Sequence, residues 1–288
     1  MKNNYTTYRK FQIQQPFFSF NVMGYSEKMT AKPYHALFYE FSTSKVIDRN
    51  QNDDLFMTCI PDGCIDIVFI QNNQTFKMEF IGSPFSHKPL IVYPGASYFG
   101  VRMMPGMFFP YSTICIRDIT NTETFVPHIS PYLEKLMESV FAAVSLDEKI
   151  DLFFSHLLQY TPDEFTVNET LQSVLYLISM SKGTLGVSDI AQKVCYSERH
   201  LTRMFSDTMG YSPKMFCRIS RFQYALSIMM ERKSDAVSSF ITMLNYSDQA
   251  HFQREFKEFT GLTPRHFIQD YADTILREVC PCGERGGS

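Results

Sequence analysis

The sequence predicts an α+β fold. A β-rich N-terminal domain of small-barrel or jelly-roll type, with helices after it, precedes an all-helical C-terminal domain in which two helix-turn-helix units are joined by a linker helix. Three observations predict it. Up to about residue 126, short apolar or alternating runs are separated by Pro- and Gly-containing turns. From about residue 130 the apolar period changes to 3.6. Within the last third, a stretch of about thirty residues recurs some fifty positions later. A chain of 288 residues is long enough for two domains.

The runs Ala36–Phe41, Ile65–Ile70, Phe76–Ile81, Leu90–Tyr93 and Tyr98–Met103 have the length and branching of strands. Pro61-Asp62-Gly63 is a turn with a mechanism, because Pro presets φ, Asp bonds locally and Gly permits positive φ. Tyr93-Pro94-Gly95 and Pro105-Gly106 punctuate in the same way. Ser130-Pro131 then supplies a capping hydroxyl and a first-turn proline. Leu133, Leu136, Met137, Val140, Phe141 and Val144 mark one apolar stripe of the helix that follows. This stripe can either bury itself against the N-terminal sheet or pair with a second copy as a dimer surface. A further helix turns Ile150, Phe153, Phe154, Leu157 and Leu158 inward and ends before Thr161-Pro162-Asp163, the expected interdomain linker. The expected divisions are 1–162, 163–270 and a tail over 271–288.

The repeat sets residues 188–216 beside 238–267. Tyr196 and Ser197 match Tyr246 and Ser247 at an offset of 50. One extra residue then makes the offset 51, and Leu201, Arg203, Phe205, Gly210, Pro213 and Phe216 face Phe252, Arg254, Phe256, Gly261, Pro264 and Phe267. In the first copy Ile190, Ala191 and Val194 give a short helix its packing face, Cys195-Tyr196 turns the chain, and Ser197 caps the next helix. Leu201, Met204 and Phe205 go inward along that helix, leaving Arg199, Thr202, Arg203 and Ser206 outside. In the second copy Phe252, Phe256 and Phe259 go inward, and Gln249, Gln253, Arg254 and Lys257 are left out. Gly210 and Gly261 close these helices, and Ser212-Pro213 and Thr263-Pro264 start the next ones.

A helix of this kind fits the DNA major groove, where Arg reads guanine and Gln reads adenine through paired hydrogen bonds. The charge distribution agrees. Overall net charge is −3, but residues 182–268 carry twelve Lys and Arg against eight acids, a net +4, while the remainder carries −7. A helical repeat that binds protein is the competing reading, and the paired Arg, Gln and Thr on a basic surface argue against it.

From about 170 to 268 the chain resembles the DNA-binding domain of the AraC/XylS family. The resemblance is carried by Tyr196-Ser197-x-Arg199-x-Leu201-x-Arg203-x-Phe205, by Asp248-Gln249-x-His251-Phe252-x-Arg254-x-Phe256, and by Gly261-x-Thr263-Pro264. It implies a linker helix at about 213–232 and a bacterial, sequence-specific transcription factor, more often an activator, with RNA polymerase as a partner. It also implies base contacts from Arg199, Thr202, Arg203 and Ser206 of the first unit. From the second unit it implies Gln249, Ala250, His251 and Gln253, with Arg254 serving a base or a phosphate. Two departures stand out. The turn position that is usually glycine is Cys195 in one unit and Asn245 in the other, which predicts strain at Cys195. Ile241 stands where the family usually has a small residue. Residues 60–69 and 99–106 also resemble the N-terminal domain of one AraC-type subgroup. In the wider family such domains bind a small-molecule effector or hold a homodimer.

Other chemistries find no support. His35, His87, His128 and His156 stand alone, without the spacing of a metal site, so neither metal nor cofactor is expected. Cys59 and Cys64 read as buried thiols, and Cys280-Pro281-Cys282 as part of a Gly-rich end. Nothing resembles a phosphate loop, a nucleophile elbow or a catalytic carboxylate pair, so no enzyme is expected; the alternative is an enzymatic or protein-binding β-domain beside an incidental helical module. No stretch has the roughly 18 apolar residues of a membrane span. Residues 1–17 lack the apolar core of a signal peptide, so the expected location is the cytoplasm. Arg102 lies in an expected strand and has two readings: it holds an anionic effector, or it forms a salt bridge with Asp62 or Asp66.

Overall fold

Alternating runs joined by tight turns become antiparallel strands. A computed structural model describes residues 13–18, 22–30, 36–43, 56–107, 116–125, 130–158, 169–232 and 241–279. The N-terminal domain holds β1 (Met23–Thr30), β2 (Ala36–Ser42), β3 (Phe56–Cys59), β4 (Ile65–Asn72), β5 (Thr75–Gly82), β6 (Lys88–Ile91), β7 (Ser97–Met103) and β8 (Glu123–Phe125). Six of them form one antiparallel sheet in the order β1-β2-β7-β4-β5-β8, and β3 and β6 form a two-stranded ribbon. The five expected strands are present. Strands β1, β3 and β8 were not legible, because β1 is a mostly exposed edge strand without alternation and the other two are short.

Both faces of the large sheet are covered, which explains why β4 is buried continuously from Ile65 to Ile70. One face turns Phe38, Ile67, Phe69, Phe99 and Val101 toward α2 (Pro131–Ala142) and α3 (Leu146–Leu158), where Leu136, Met137, Val140, Ile150, Phe153 and Phe154 meet them. The stripe considered above as a dimer surface packs on the chain's own sheet through Leu136, Met137 and Val140, with Leu133 and Phe141 partly buried beside them, whereas Val144, past the end of α2, is 97% exposed. The N-terminus of α2 is as expected, with Ser130 accepting from the Leu133 amide and Pro131 in the first turn. The side chains of Leu157 and Leu158, the linker at 161–163, and Cys280 and Cys282 lie outside the described residues.

The other face packs Tyr39, Phe41, Val68, Ile70 and Tyr98 against Met57, Cys59, Leu90 and Val92 of the ribbon region. Gly100 lies between Tyr39 and Val68 in register, and a side chain there would collide with the Tyr39 ring. Among the described residues the space on this face is filled. The cavity left between the sheets is about 30 Å³, room for one water and far below the roughly 300–1,000 Å³ of ligand pockets.

At the end of this face lies a buried ionic cluster. Arg102 donates from Nε and Nη2 to the Asp66 carboxylate at 2.8 and 2.7 Å, and Asp62 lies 3.5 Å away. Tyr39 Oη adds a third donor to Asp66 at 2.8 Å. The salt-bridge reading of Arg102 is the observed one, and the guanidinium is taken up by the chain's own carboxylates. Asp62 also accepts from the Cys64 amide and from Gln15 Nε2, while Ser83 Oγ accepts from the Asp62 and Gly63 amides. Burial pushes the Asp62 carboxyl above its usual range, with Arg102 opposing.

The helical part comprises α4 (Glu169–Met180), α5 (Val187–Lys193), α6 (Glu198–Met209), α7 (Pro213–Arg232), α8 (Gln249–Thr260) and α9 (Pro264–Val279), preceded by the short α1 (Ile116–Ile119) in the N-terminal domain. It builds two apolar clusters: Leu175, Ile190, Leu201, Phe205 and Phe216 in one, and Phe222, Leu226, Leu244, Phe252, Phe256 and Phe267 in the other. Helix α7 contributes to both and links them. The expected division at residue 270 falls inside α9.

Arg102 is almost fully buried between two carboxylates, so its removal strands both charges. Arg102→Met is expected to destabilise the chain by about 3–5 kcal/mol in urea unfolding. Arg102→Lys should recover only part of this, because one ammonium cannot reproduce the two-pronged contact.

Candidate nucleic-acid interface

Each repeat folds as a short helix, a turn in the left-handed region and a longer helix. In the first, α5 buries Ile190 and Ala191, Cys195 takes φ +58°, and Ser197 Oγ accepts from the His200 amide to cap α6. In the second, residues 241–243 are helical, Asn245 takes φ +58°, and the cap is Asp248, whose carboxylate accepts from the His251 amide at 2.7 Å. The extra residue of the second copy is thus absorbed at the cap, and the displaced Ser247 hydroxyl bonds His251 Nδ1 instead. That hydrogen bond from the His251 amide holds the Asp248 carboxyl below its usual range. Cys195 takes the same left-handed turn conformation as Asn245, which a non-glycine residue adopts at a cost of about 1–2 kcal/mol. Ile241 is accommodated as a buried member of the second cluster.

Both longer helices bury one face completely. Leu201, Phe205 and Met209 do so in α6, and Phe252, Phe256 and Phe259 in α8. The opposite faces carry the residues proposed for base reading. Arg199 and Arg203 are exposed on α6, with Thr202 and Ser206 half-buried beside them. On α8, Gln249, Ala250, Gln253 and Arg254 are exposed, while His251 is half-buried and held by Ser247 and the Tyr246 ring. None of Arg199, Arg203 or Arg254 is drawn into a salt bridge among the described residues. The free amides at the N-terminus of each helix add positive potential on the same side.

Several contributors were not visible in the sequence. Glu255 is buried and accepts from Arg218 Nε at 2.9 Å, Arg221 Nη2 at 3.3 Å and Tyr246 Oη at 2.8 Å. These bonds tie α8 to α7, so Arg218 and Arg221 serve the fold rather than the basic surface. Burial, then Glu255, pushes the Tyr246 hydroxyl well up. The repeat counterpart of Glu255 is Met204, which offers no acceptor. Tyr196, the counterpart of Tyr246, accordingly stays 40% exposed and stacks on His200, with ring centroids 4.7 Å apart. Tyr196 and His200 thereby join the exposed start of α6. Among the described residues, no group of three or more His, Cys, Asp or Glu is placed to hold a metal ion. No described helix is long and apolar enough to cross a membrane.

A family profile described as a helix-turn-helix domain matches residues 190–270, the segment that holds both units. This match places a helix-turn-helix domain at residues 190–270, in keeping with the AraC-type resemblance of the same segment. A second profile, a domain of unknown function, matches residues 37–125. An uncharacterised helix-turn-helix-type transcriptional regulator of Staphylococcus aureus is 24% identical over 122 residues, 40% of this chain and 16% of its own length. The transcriptional regulator ArgR of Pseudomonas aeruginosa is 28% identical over 94 residues, 33% of this chain and 28% of its own. This chain therefore spans well under a third of either relative. Both relatives are regulators rather than enzymes. A crystal structure of ToxT from Vibrio cholerae has a TM-score of 0.43 at 11% identity, covering 82% of this chain and 98% of that one.

Cys195 holds a positive φ in the turn of the first unit, where Asn245, a residue that tolerates that conformation better, stands in the second. Cys195→Gly is expected to raise stability by about 1 kcal/mol in thermal or urea unfolding, with the α6 surface unchanged.

Proposed function

We propose that this chain is a sequence-specific transcriptional regulator that reads double-stranded DNA with α6 and α8 in adjacent major-groove segments. The observation that carries this reading is the pair of capped helices, each anchored on an aromatic core, with Arg199 and Arg203 on one and Gln249, Gln253 and Arg254 on the other left outside. Arg and Gln are the side chains whose paired donors and acceptors match guanine and adenine edges. Thr202, Ser206, Ala250 and Tyr196 fill in around them and contact thymine methyls or phosphates. His251, held by Ser247, orients the start of α8.

The N-terminal domain acts as the regulatory partner of this surface. Its acidic balance keeps it off DNA, and its contacts with the helical part suit it to pass on the presence of a small-molecule effector. Arg102 is occupied by Asp66, and among the described residues the space between the sheet and the ribbon holds about 30 Å³, so an effector seated there would have to open it. Activation through contact with RNA polymerase, in the bacterial cytoplasm where its DNA lies, completes the proposal. The division into a regulatory domain up to about 162 and a reading domain from 163 belongs to it as well.

Arg203 faces outward, so its loss should leave folding alone. Arg203→Ala is expected to weaken binding to a selected cognate duplex by about 1–3 kcal/mol and to relax preference at one base pair, with melting unchanged. Fluorescence anisotropy against cognate and random duplexes checks this. Equal losses on both would make Arg203 a phosphate contact and count against base readout by α6.

A further inference from the structure

Each of the two reading helices ends on a glycine in the left-handed conformation, and each of those ends is covered by the N-terminal domain. At the end of α6, the Thr120 hydroxyl, which donates to the Ile116 carbonyl at 2.8 Å, also lies 3.3 Å from the Met209 carbonyl and shares its proton with it. The same hydroxyl lies so close to Gly210 that a side chain at Gly210 would collide with it. Arg117, on the same short helix α1, reaches Asp207 at 3.6 Å. At the end of α8, His87 brings both its amide nitrogen (3.3 Å) and its Nδ1 (3.0 Å) to the Glu258 carbonyl. Its ring lies 3.1 Å from where a Cβ on Gly261 would stand.

These are equivalent positions in the repeat. Asp207 corresponds to Glu258 and Gly210 to Gly261, and each set is met by a different loop of the same sheet. The last carbonyls of a helix have no partner within it, so a donor from outside both satisfies and fixes them. Between the two ends the same domain also holds the linker helix. Tyr211 Oη donates to the Gly63 carbonyl at 3.0 Å, Gln223 Nε2 donates to the Pro61 carbonyl at 2.8 Å, and Ile60 is fully buried among the residues of the second helical cluster. Gly63 has no side chain to strike Phe216, whose ring would be 2.6 Å from a Cβ.

We infer that Thr120 and His87 are positioning residues for DNA reading: through them, and through the Pro61–Gly63 turn, the N-terminal domain fixes the relative placement of α6 and α8. The contacts lie at the C-terminal ends, away from the N-terminal turns that carry Arg199 and Gln249, so DNA can reach the reading surface while the domain is docked. A rigid pair of helices accepts only one separation of the two half-sites along the duplex. Inserting a base pair turns one half by roughly a tenth of a turn. With the contacts at the two helix ends lost, the units would still be joined by α7, the Glu255 ion pairs and the Pro61–Gly63 turn, but the helix ends would be free to shift and the accepted separations would widen.

This inference rests on the DNA-reading function proposed above. The test uses the full-length chain and a duplex chosen from a randomised library by the wild type. Binding is measured at the selected spacing and with one base pair added or removed between the halves. The wild type should lose about tenfold or more on either change, comparable to a mismatch. His87→Ala combined with Thr120→Val, which keeps the shape of Thr120 but not its hydroxyl, should bind the selected duplex more weakly. Its loss on changing the spacing should shrink to within about threefold, and binding to an isolated half-site should stay unchanged. Thr120→Arg, which wedges α1 from α6, should act in the same direction; if it fails to fold, the double variant decides. A double variant that melts cooperatively and keeps the wild-type spacing penalty overturns the inference, as does a wild type indifferent to spacing. If no duplex is selected at all, the DNA-reading function itself falls, an outcome distinct from specific binding with an unaltered penalty.

Discussion

The turn at Pro61-Asp62-Gly63-Cys64 is the constraint on which the two halves of this protein depend. It is held from within by Asp62 and Ser83, and Asp62 in turn belongs to the cluster centred on Arg102. Three strands supply that cluster: Tyr39 from β2, Asp66 from β4 and Arg102 from β7. Its geometry therefore reports the alignment of the sheet. On the outer side the same turn presents the Pro61 carbonyl to Gln223 of α7 and the Gly63 carbonyl to Tyr211 in the turn before it. A buried ion pair is weak evidence for stability by itself, because desolvation offsets much of the attraction. Its value here is in specifying one position for a turn that both domains share.

The helical domain shows how a duplicated sequence can fold twice and still differ in detail. Apolar positions, caps and terminal glycines are repeated, and both units adopt the same helix-turn-helix geometry. The differences follow from single residues. Met204 in place of Glu255 removes the acceptor that buries Tyr246, so Tyr196 remains at the surface. Glu255 also draws Arg218 and Arg221 out of the basic face, together with acids of equal number, so the local charge balance survives their loss. The two units accordingly present different exposed faces, with Arg199 and Arg203 on α6 and Gln249, Gln253 and Arg254 on α8.

Much of this was legible beforehand. The strands with alternating runs, the cap at Ser130, the inward aromatics of α6 and α8 and the start of α7 at Ser212-Pro213 all follow from local pattern, while the extent of α7 came from the family resemblance. The illegible parts share a cause. Strand β1 forms because β2 offers it a partner, not because its own residues demand it. The stripe of Leu136, Met137 and Val140 reads identically whether it faces a sheet or a second copy. Glu255 and Arg102 are ordinary charged residues until their partners are placed around them.

The sequence by itself determined the elements with short-range causes: helix periods, caps, turn glycines and the outward position of Arg199, Arg203, Gln249 and Gln253. Hydrogen bonds and side-chain spacing within a few residues suffice for these, so a linear string contains them. Only the tertiary structure decided which buried charges pair, that the space between the sheets is filled, and that Thr120 and His87 cover the ends of the reading helices. Those contacts join residues 89 and 171 positions apart. Such partners are chosen by the packing of whole domains, and no periodicity in the chain encodes them.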